Sequence, residues 1–495
     1  MKTKIILALI ITLAAFLRFY KLTANPPGLY WDEAALGYNA YSILKTARDE
    51  YGSFLPFTFR SYDDYKNPVY FYLLVPSIAI FGLNELAIRF PSAFFGTLTV
   101  LLTYFLAKKI LKNETISLLS TFFMAISAWH LQFSRAGFEA NLMLFLDVLG
   151  VVLFLYSFKN YKLLILSAIS FGLSFNTYHG AKVWVPLFLF CIGFIYKEEF
   201  FKFGKKILFP LLIMIIFVLP TILDYQIALT RGKNVSILSR PNAAEIFISG
   251  YLSHFSPTFL FISGDSQGRH SPTGEGELYV FQLPFIIIGL TSMIRKRNKG
   301  VSLLLSWLIL SPLPAAIAAP TPHALRFITS LPLWSIFTAV GIFVLFKSDL
   351  NKTILKISAV IMLMITIYNV IFYLHVYYVH YPKEKGLDWQ EGYRDMVQYV
   401  SSNQDKYDTV GITSYWGEPY IYALFYTKYD PKRYQSQVKG KLNSFDKYRF
   451  FEHGSDNFEN SGKVLMVTTP DDGNKEKTLK IIYAHGEPVF RISEQ

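Results

Sequence analysis

Apolar residues along this chain gather into long runs that predict membrane-spanning helices. A helix that crosses the hydrocarbon core of a bilayer needs roughly 20 apolar residues, with a range of about 17–25. Runs near this length lie at 4–20, 88–107, 115–131, 139–157, 162–178, 183–197, 206–223, 280–294, 301–318, 327–346 and 353–376. We therefore expect an α-helical multi-pass membrane protein with about eleven transmembrane helices, the first of them retained rather than cleaved as a signal peptide.

Short basic clusters between alternate pairs of runs set the expected orientation. With Met1 on the cytoplasmic side, the clusters "AKKILK", "KNYK", "KEEFFKFGKK", "RKRNK" and "KSDLNK" all fall in cytoplasmic loops, as the positive-inside rule requires. The outer face of the plasma membrane then carries a first loop at 21–87, a second at 224–279, a short connection at 319–326 and the C-terminal segment.

A further apolar run at 69–82 is too short for a good span, with 14 residues and an internal Pro76. If this run crossed the membrane, the cluster "AKK" and every later loop would change sides. We therefore expect an interfacial or re-entrant helix at the outer membrane face.

The last part of the chain has a different pattern. The stretch "DWQEGYRDMVQYVSSN" is helix-like, whereas "YDTVGITSY", "KVLMVTT" and "KTLKIIYAH" are strand-like. We expect a transmembrane module at 1–380 and a small soluble α/β domain at 381–495, outside the cell membrane.

The composition fits a membrane protein and argues against a nucleic-acid binder. Hydrophobic residues make up 52% of the 495 residues, charged residues only 17% and aromatic residues 17%. The net charge of +13 is distributed over the basic clusters that set the topology. A single cysteine, Cys191, allows no intramolecular disulfide. The sequence also has no P-loop, Rossmann, serine-hydrolase or zinc-protease motif.

Candidate chemistry begins directly after the first run, in "NPPGLYWDEAALGY". The Pro-Pro-Gly turn makes the segment before Tyr30 rigid. Tyr30 and Trp31 are amphipathic rings suited to the headgroup level. Asp32 and Glu33 then open a stretch with helical apolar spacing. A carboxylate in this position can accept a proton from an incoming hydroxyl or hold a cation against a phosphate.

Other polar candidates lie in the outer loops and at the outer ends of the predicted spans. Asp63 and Asp64 are candidate supports for a cation or an acceptor, and Lys66 is placed either to meet a lipid phosphate or simply to snorkel. His323 and Arg326 lie at the outer end of a span, where a guanidinium can grip phosphate with two prongs. Weaker candidates for substrate binding are Arg135, Glu139, His179, His254, Asp265, Arg269 and His270.

Two questions stay open at this level. Asp147, inside a predicted span, has either a structural or a functional role. The histidines and Asp265 of the second loop match no compact metal-binding motif, and adjacent carboxylates permit a divalent cation without requiring one, so the cofactor is unknown.

Two segments resemble the start of glycosyltransferase family 39, within the C-type membrane glycosyltransferase superfamily. They are "PPGLYWDEAALGYNAYSI" and "YDDYKNPVYFYLLVPSIAIFGLNELAIRFPSAFFGTLTVLLTYFLAKK". This family includes dolichyl-phosphate-mannose protein mannosyltransferases and lipid A aminoarabinose transferases. The resemblance is strong over about residues 1–180 and extends to about 376, while the tail resembles no family.

The resemblance implies the C-type glycosyltransferase fold and an enzyme that takes a sugar from a polyprenyl-phosphate donor at the outer membrane face. The acceptor would be a lipid, a protein or a glycan, and transfer would usually invert the anomeric carbon. Asp32 matches the probable general base and Glu33 its neighbouring acid. Lys66 matches a lysine near the donor phosphate, although "KNP" stands here in place of the family's "KPP"-like segment. His323 and Arg326 would also contact that phosphate.

Two other classes of protein compete with this interpretation. A lipid or polysaccharide transporter or flippase would place ionisable groups near the bilayer midplane, often in repeated halves. A non-catalytic envelope assembly protein would act through its tail. The sequence has no internal repeat and its polar candidates converge on one membrane face, which favours the enzyme.

Overall fold

The structure, a computed structural model, describes residues 2–62, 64–224, 236–296, 298–438, 444–452, 462–472, 475 and 477–495. Its chain divides into two units, each assembled from segments that are distant in sequence. The helical unit comprises Met1–Tyr20, Tyr62–Val69 and Ser92–Val376, and the mixed unit comprises Lys21–Ser61, Tyr70–Pro91 and Tyr377–Gln495. The predicted first outer loop therefore contributes to both units, and the predicted boundary at 380 lies close to Tyr377.

The elements before residue 376 are mostly apolar helices. In chain order they are α1 (Lys2–Phe19), α2 (Trp31–Thr46), β1 (Phe59–Ser61), β2 (Asp64–Lys66), α3 (Val69–Phe81), α4 (Glu85–Leu111), α5 (Glu114–Ala125), α6 (Ala128–Ser134), α7 (Glu139–Ser157), α8 (Lys162–Phe175), α9 (Ala181–Ile195), α10 (Lys197–Phe203), α11 (Leu208–Leu223), α12 (Ala243–Ser253), α13 (Gln282–Arg295), α14 (Lys299–Leu310), α15 (Leu313–Ala316), α16 (Leu331–Phe346) and α17 (Lys352–His375).

Every predicted span coincides with a helix or with a pair of consecutive helices. Among the described residues, six segments are long and apolar enough to cross a membrane, and they are Glu85–Leu111, Glu139–Ser157, Lys197–Leu223, Lys299–Ala316, Ile328–Phe346 and Lys352–Lys385. A bent pair, α5 with α6 at 57°, would add a seventh. The other predicted spans correspond to α1, α8, α9 and α13, which have 18 residues or fewer, so the count of eleven stays a prediction.

Two of these long segments bury few of their apolar side chains. Only 6% of the most apolar window in Lys197–Leu223 is buried, and only 11% of that in Lys352–Lys385. Soluble proteins rarely expose apolar patches of this size. These surfaces are suited to contact with lipid chains.

Inside the helical unit, two glycines allow α13 and α16 to approach closely. A Cβ atom on Gly289 would lie 2.0 Å from the carbonyl oxygen of Phe337, and one on Gly341 would lie 1.9 Å from that of Phe285. Small residues at such crossings let helix backbones touch in membranes, where van der Waals packing drives association.

The mixed unit carries the C-terminal sheet. Its elements are α18 (Tyr381–Lys385), α19 (Tyr393–Asn403), β3 (Thr409–Thr413), α20 (Pro419–Thr427), α21 (Pro431–Gln437), β4 (Tyr448–Phe451), β5 (Val464–Thr468), β6 (Thr478–Ala484) and β7 (Glu487–Glu494). The strand order is β4-β3-β5-β7-β6. β3 is parallel to β4 and β5, whereas β7 is antiparallel to β5 and β6.

Helix α2 belongs to this same unit and packs against α20. A Cβ atom on Gly37 would lie 2.7 Å from the ring of Phe425 and 2.5 Å from the side chain of Ile88. The C-terminal segment therefore supports the helix that begins with the candidate carboxylates.

The glycine crossing gives a test of the packing. Gly289→Val forces a side chain into the backbone of α16, and overpacking of this kind costs about 1–3 kcal/mol. We expect Gly289→Val to have a lower midpoint of thermal unfolding than the wild type. Tryptophan fluorescence of the protein in lipid nanodiscs measures this midpoint. Gly193→Val in α9 is the matched control, because a Cβ atom there meets nothing within 4 Å. Equal midpoints for the two variants would contradict the crossing.

Candidate functional site

The turn before α2 is held by one buried arginine, Arg89 of α4. Its guanidinium donates to the carbonyl of Leu22 at 3.2 Å, to that of Pro26 at 2.8 Å, and to that of Gly28. Gly28 has no room for a side chain, since a Cβ atom would lie 1.9 Å from the carbonyl oxygen of Trp389. The Pro-Pro-Gly turn is thus fixed by hydrogen bonds and by close packing.

Glu33 completes this arrangement from inside α2. Its Oε1 accepts from Arg89 Nε at 3.0 Å and its Oε2 from Arg89 Nη2 at 3.1 Å, and both side chains are buried. Oε2 also accepts from the backbone N–H of Tyr30 at 3.2 Å, which ties the carboxylate to the residue just before the helix. Glu33 therefore binds the turn, the helix start and α4 together.

Asp32 differs from its neighbour in exposure. It lies in the first turn of α2 and is half-buried, as is Trp31, while Glu33 is 2% exposed. The positive end of a helix dipole favours a carboxylate at this position. The Trp31 ring lies 4.9 Å from that of Tyr30, so an aromatic pair flanks the acid.

Arg89 is the residue that the sequence analysis missed. Its signal was an arginine inside the apolar stretch "ELAIRFPSAFF", where a charge has to find acceptors within the protein. The partner, 56 residues earlier in the chain, has no local signature.

Lys66 lies in a different setting, at the end of β2 in the helical unit, and is 8% exposed. The adjacent Asn67, where the sequence departs from the family pattern, accepts a hydrogen bond from the ammonium of Lys182. The backbone N–H of Val69 donates to the carbonyl of Asn176 at 3.4 Å. This segment therefore lies against the polar turn that also contains the half-buried His179.

Two acids, Asp63 and Asp64, lie just before Lys66 in the sequence. The Oδ1 of Asp64 accepts from the backbone N–H of Tyr65 at 2.8 Å. Asp63 lies outside the described residues.

The second and third loops meet within the helical unit and bring their histidines together. His270 Nδ1 donates to Asp265 Oδ2 at 2.7 Å, and His323 Nδ1 lies 4.0 Å from the same oxygen. The backbone N–H of His323 donates to His254 Nε2 at 3.0 Å. All four side chains are buried.

Burial and neighbouring charges shift the pKa values of the groups in this cluster. Burial alone would raise the pKa of Asp265, but the hydrogen bond from His270 and the charges of His270 and His323 hold it below its ordinary value. Burial lowers the pKa of His254 to about 4. Burial, with His270 and Arg326 nearby, also lowers the pKa of His323 well below its ordinary value. At neutral pH the cluster therefore presents neutral imidazoles at His254 and His323 and an ionised carboxylate at Asp265.

Two arginines border this cluster. Arg326 is half-buried, and its Nη1 donates to the carbonyls of Ala318 at 3.1 Å and Ala319 at 3.0 Å. Arg269 is also half-buried, and its carbonyl accepts from the side chain of Gln132 at 2.7 Å.

Of the remaining candidates, Arg135 and Asp147 make contacts between helices. Arg135 Nη1 donates to the carbonyls of Leu17 at 2.8 Å and Arg18 at 3.1 Å, at the C-terminal end of α1. Glu139 is the half-buried first residue of α7. Asp147 of the same helix accepts from Ser174 Oγ of α8 at 2.5 Å, which supports the structural alternative for this aspartate.

Comparisons with known proteins match this geometry to a known fold. Residues 65–223 match the family described as dolichyl-phosphate-mannose-protein mannosyltransferase. No curated protein matches the chain by sequence. ArnT from Cupriavidus metallidurans, solved with bound undecaprenyl phosphate, gives a TM-score of 0.63 at 11% identity over 98% of this chain and 97% of that one.

The chain has the fold of the C-type membrane glycosyltransferases. The archaeal oligosaccharyltransferase AglB from Archaeoglobus fulgidus, in complex with an inhibitory peptide and a dolichol-phosphate, gives a TM-score of 0.54 at 13% identity. That match covers 86% of this chain and only 63% of AglB. The predicted resemblance and the predicted fold class are both confirmed. The family match begins after Asp32 and Glu33, so the roles of single residues in this glycosyltransferase fold stay predictions.

The Glu33–Arg89 pair can be tested through stability. Glu33→Gln and Arg89→Gln each leave a buried charge without its counter-ion, and breaking such a pair costs about 3–5 kcal/mol. The double variant should lose less than the sum of the single losses, because neither charge is then stranded. Thermal unfolding in nanodiscs measures all three variants. Asp32→Asn, next in sequence and half-exposed, is the control and should change stability little; strictly additive losses would exclude the coupling.

Proposed function

We propose that this protein is a membrane glycosyltransferase that moves a sugar from a polyprenyl-phosphate donor to a lipid, protein or glycan acceptor. The observation that supports this most strongly is the fold match with ArnT over nearly the full length of both chains. ArnT was solved with undecaprenyl phosphate, and the matching family is named for a dolichyl-phosphate sugar. Transfer would take place at the outer face of the cell membrane, with the N-terminus cytoplasmic and residues 381–495 outside.

In this proposal Asp32 is the general base. Its carboxylate takes the proton of the acceptor hydroxyl while the hydroxyl oxygen attacks the anomeric carbon. The bond between that carbon and the donor phosphate breaks, and its electron pair leaves with the phosphate, which stays attached to its lipid. Attack from the side opposite the phosphate inverts the anomeric carbon. Glu33 is a positioning residue, since its two oxygens are engaged by Arg89 and Tyr30.

Cationic side chains are the second requirement, because negative charge grows on the departing phosphate. Lys66 and Arg326 are proposed to contact it with their charges, and the neutral imidazole of His323 lies beside Arg326. Arg326 offers a planar set of N–H donors that suits phosphate oxygens, and Lys66 offers a compact ammonium.

The role of Asp32 is tested with Asp32→Asn. Loss of a general base typically slows a reaction by about 10²–10⁴-fold. The assay follows the rate at which purified protein in nanodiscs releases polyprenyl phosphate. The donor is polyprenyl-phosphate mannose or one of its pentose analogues, and a membrane extract supplies the acceptor. We expect Asp32→Asn to lower this rate by a factor in the same range. Asp471→Asn, an exposed acid elsewhere in the mixed unit, should keep full activity. Turnover by Asp32→Asn close to that of the wild type would remove the proposed base.

Donor binding is tested separately with Lys66→Ala and Arg326→Ala. A hydrogen bond to a charged group contributes about 1.5–3 kcal/mol, so each variant should bind undecaprenyl phosphate about 10–100-fold more weakly. Lys347→Ala and Arg295→Ala, which alter exposed cations, are the matched controls. Asp32→Asn should retain the affinity of the wild type. Unchanged binding by Lys66→Ala or Arg326→Ala would reject the phosphate contact for that residue.

A further inference from the structure

Three ligand-type side chains from two loops meet in the buried cluster of Asp265, His270 and His323. The loops are more than 50 residues apart in sequence, yet one donor atom from each residue lies within 4.8 Å of the other two. Two imidazole nitrogens and one carboxylate oxygen form a typical protein ligand set for a Zn²⁺ ion that keeps a fourth position open. The spacing of residues along the sequence does not predict this ligand set, because the third ligand comes from another loop.

The carboxylate of the cluster is held in place by the backbone. The N–H of Gln267 donates to Asp265 Oδ1 at 2.9 Å, and the N–H of Ala324 donates to Asp265 Oδ2 at 2.7 Å. The second of these bonds links the two loops directly. Outer hydrogen bonds that orient a ligand are a regular feature of metal sites.

His254 holds the backbone of the third loop in place in a similar way. Its Nδ1 donates to the carbonyl of Gly250 at 2.7 Å, which leaves Nε2 to accept from the backbone N–H of His323. Both ring nitrogens of His254 are therefore used to position His323.

A second buried acid, Glu277, lies next to the cluster. Glu277 Oε1 accepts from the backbone N–H of Asp265 at 3.0 Å, and Glu277 is 1% exposed. Its other oxygen, Oε2, is buried and has no hydrogen-bond partner among the described residues. Two buried acids this close repel each other unless a cation or a proton compensates them.

We propose that Asp265, His270 and His323 bind one divalent transition-metal ion of the zinc class. In a tetrahedral site with metal–ligand bonds of about 2.0–2.2 Å, ligand atoms lie roughly 3.3 Å apart. The observed separations of 2.7 Å and 4.0 Å from Asp265 Oδ2 lie on either side of that value, and all three donor atoms lie within 4.8 Å of one another. The ion takes the place of the proton on His270 Nδ1, so His270 binds it as the neutral tautomer that carries its proton on Nε2. The three ligands leave a fourth position open. The inference does not rest on the proposed function.

Metal binding by the full-length protein tests this directly. Protein in nanodiscs is freed of metal with a chelator and titrated with Co²⁺, which gives visible d–d absorption when bound by nitrogen and oxygen ligands in a tetrahedral site. We expect saturation at about one Co²⁺ per chain, displacement by Zn²⁺, and weaker binding at lower pH, since ligands must lose protons. A wild-type protein with no such absorption would overturn the proposal.

Variants locate the ion. Asp265→Asn, His270→Gln and His323→Gln should each weaken Co²⁺ binding by at least about 10-fold, while the exposed His375→Gln serves as the control. Zn²⁺ should raise the unfolding temperature of the wild type and of His375→Gln but not of the three ligand variants. Co²⁺ binding that is equal in all variants would overturn the site. A protein that binds Co²⁺ yet transfers no sugar would contradict only the proposed function.

Discussion

A guanidinium taken out of water needs an acceptor for each of its donors, and Arg89 meets this demand around a single turn of the chain. It engages both oxygens of Glu33 and three carbonyls of the segment that leads into α2. A buried ion pair of this kind is weak evidence for stability in itself, because desolvation offsets much of the attraction. Its effect is geometric, since the same side chain fixes both the turn and the start of the helix.

The two adjacent acids acquire different chemistry from this constraint. Successive residues of a helix project about 100° apart, so a helix that points Glu33 inward cannot point Asp32 the same way. Glu33 is neutralised by its buried partner, and Asp32 stays half-exposed at the positive end of α2. Glu33 thus orients the backbone from which Asp32 projects, as the proposal of Asp32 as general base requires.

The sequence was most informative where the physical signal is local. Apolar runs predicted the helices, the short length of the 69–82 run matched α3, and strand-like stretches predicted β3, β5 and β6. Strand β7 was missed, although it pairs with both β5 and β6. The sequence also did not predict that Glu33 pairs with Arg89 or that Asp265 lies close to His323. These contacts depend on how distant segments pack, and no spacing along the chain encodes them.

Some of the chain's positive charge satisfies backbone carbonyls inside the protein. Arg18 and Arg135, like Arg89, are almost fully buried and donate to backbone carbonyls: Arg18 to Ala125 at the end of α5, and Arg135 to Leu17 near the end of α1. Carbonyls at helix ends lack partners within their own helix, and a hydrocarbon environment offers them no water. An arginine at the edge of an apolar run is therefore expected first to satisfy a helix end. Arg135 and Arg326 both donate to backbone carbonyls, but Arg135 is 1% exposed and Arg326 is half-exposed, so the two differ in accessibility, and their roles toward substrate stay predictions.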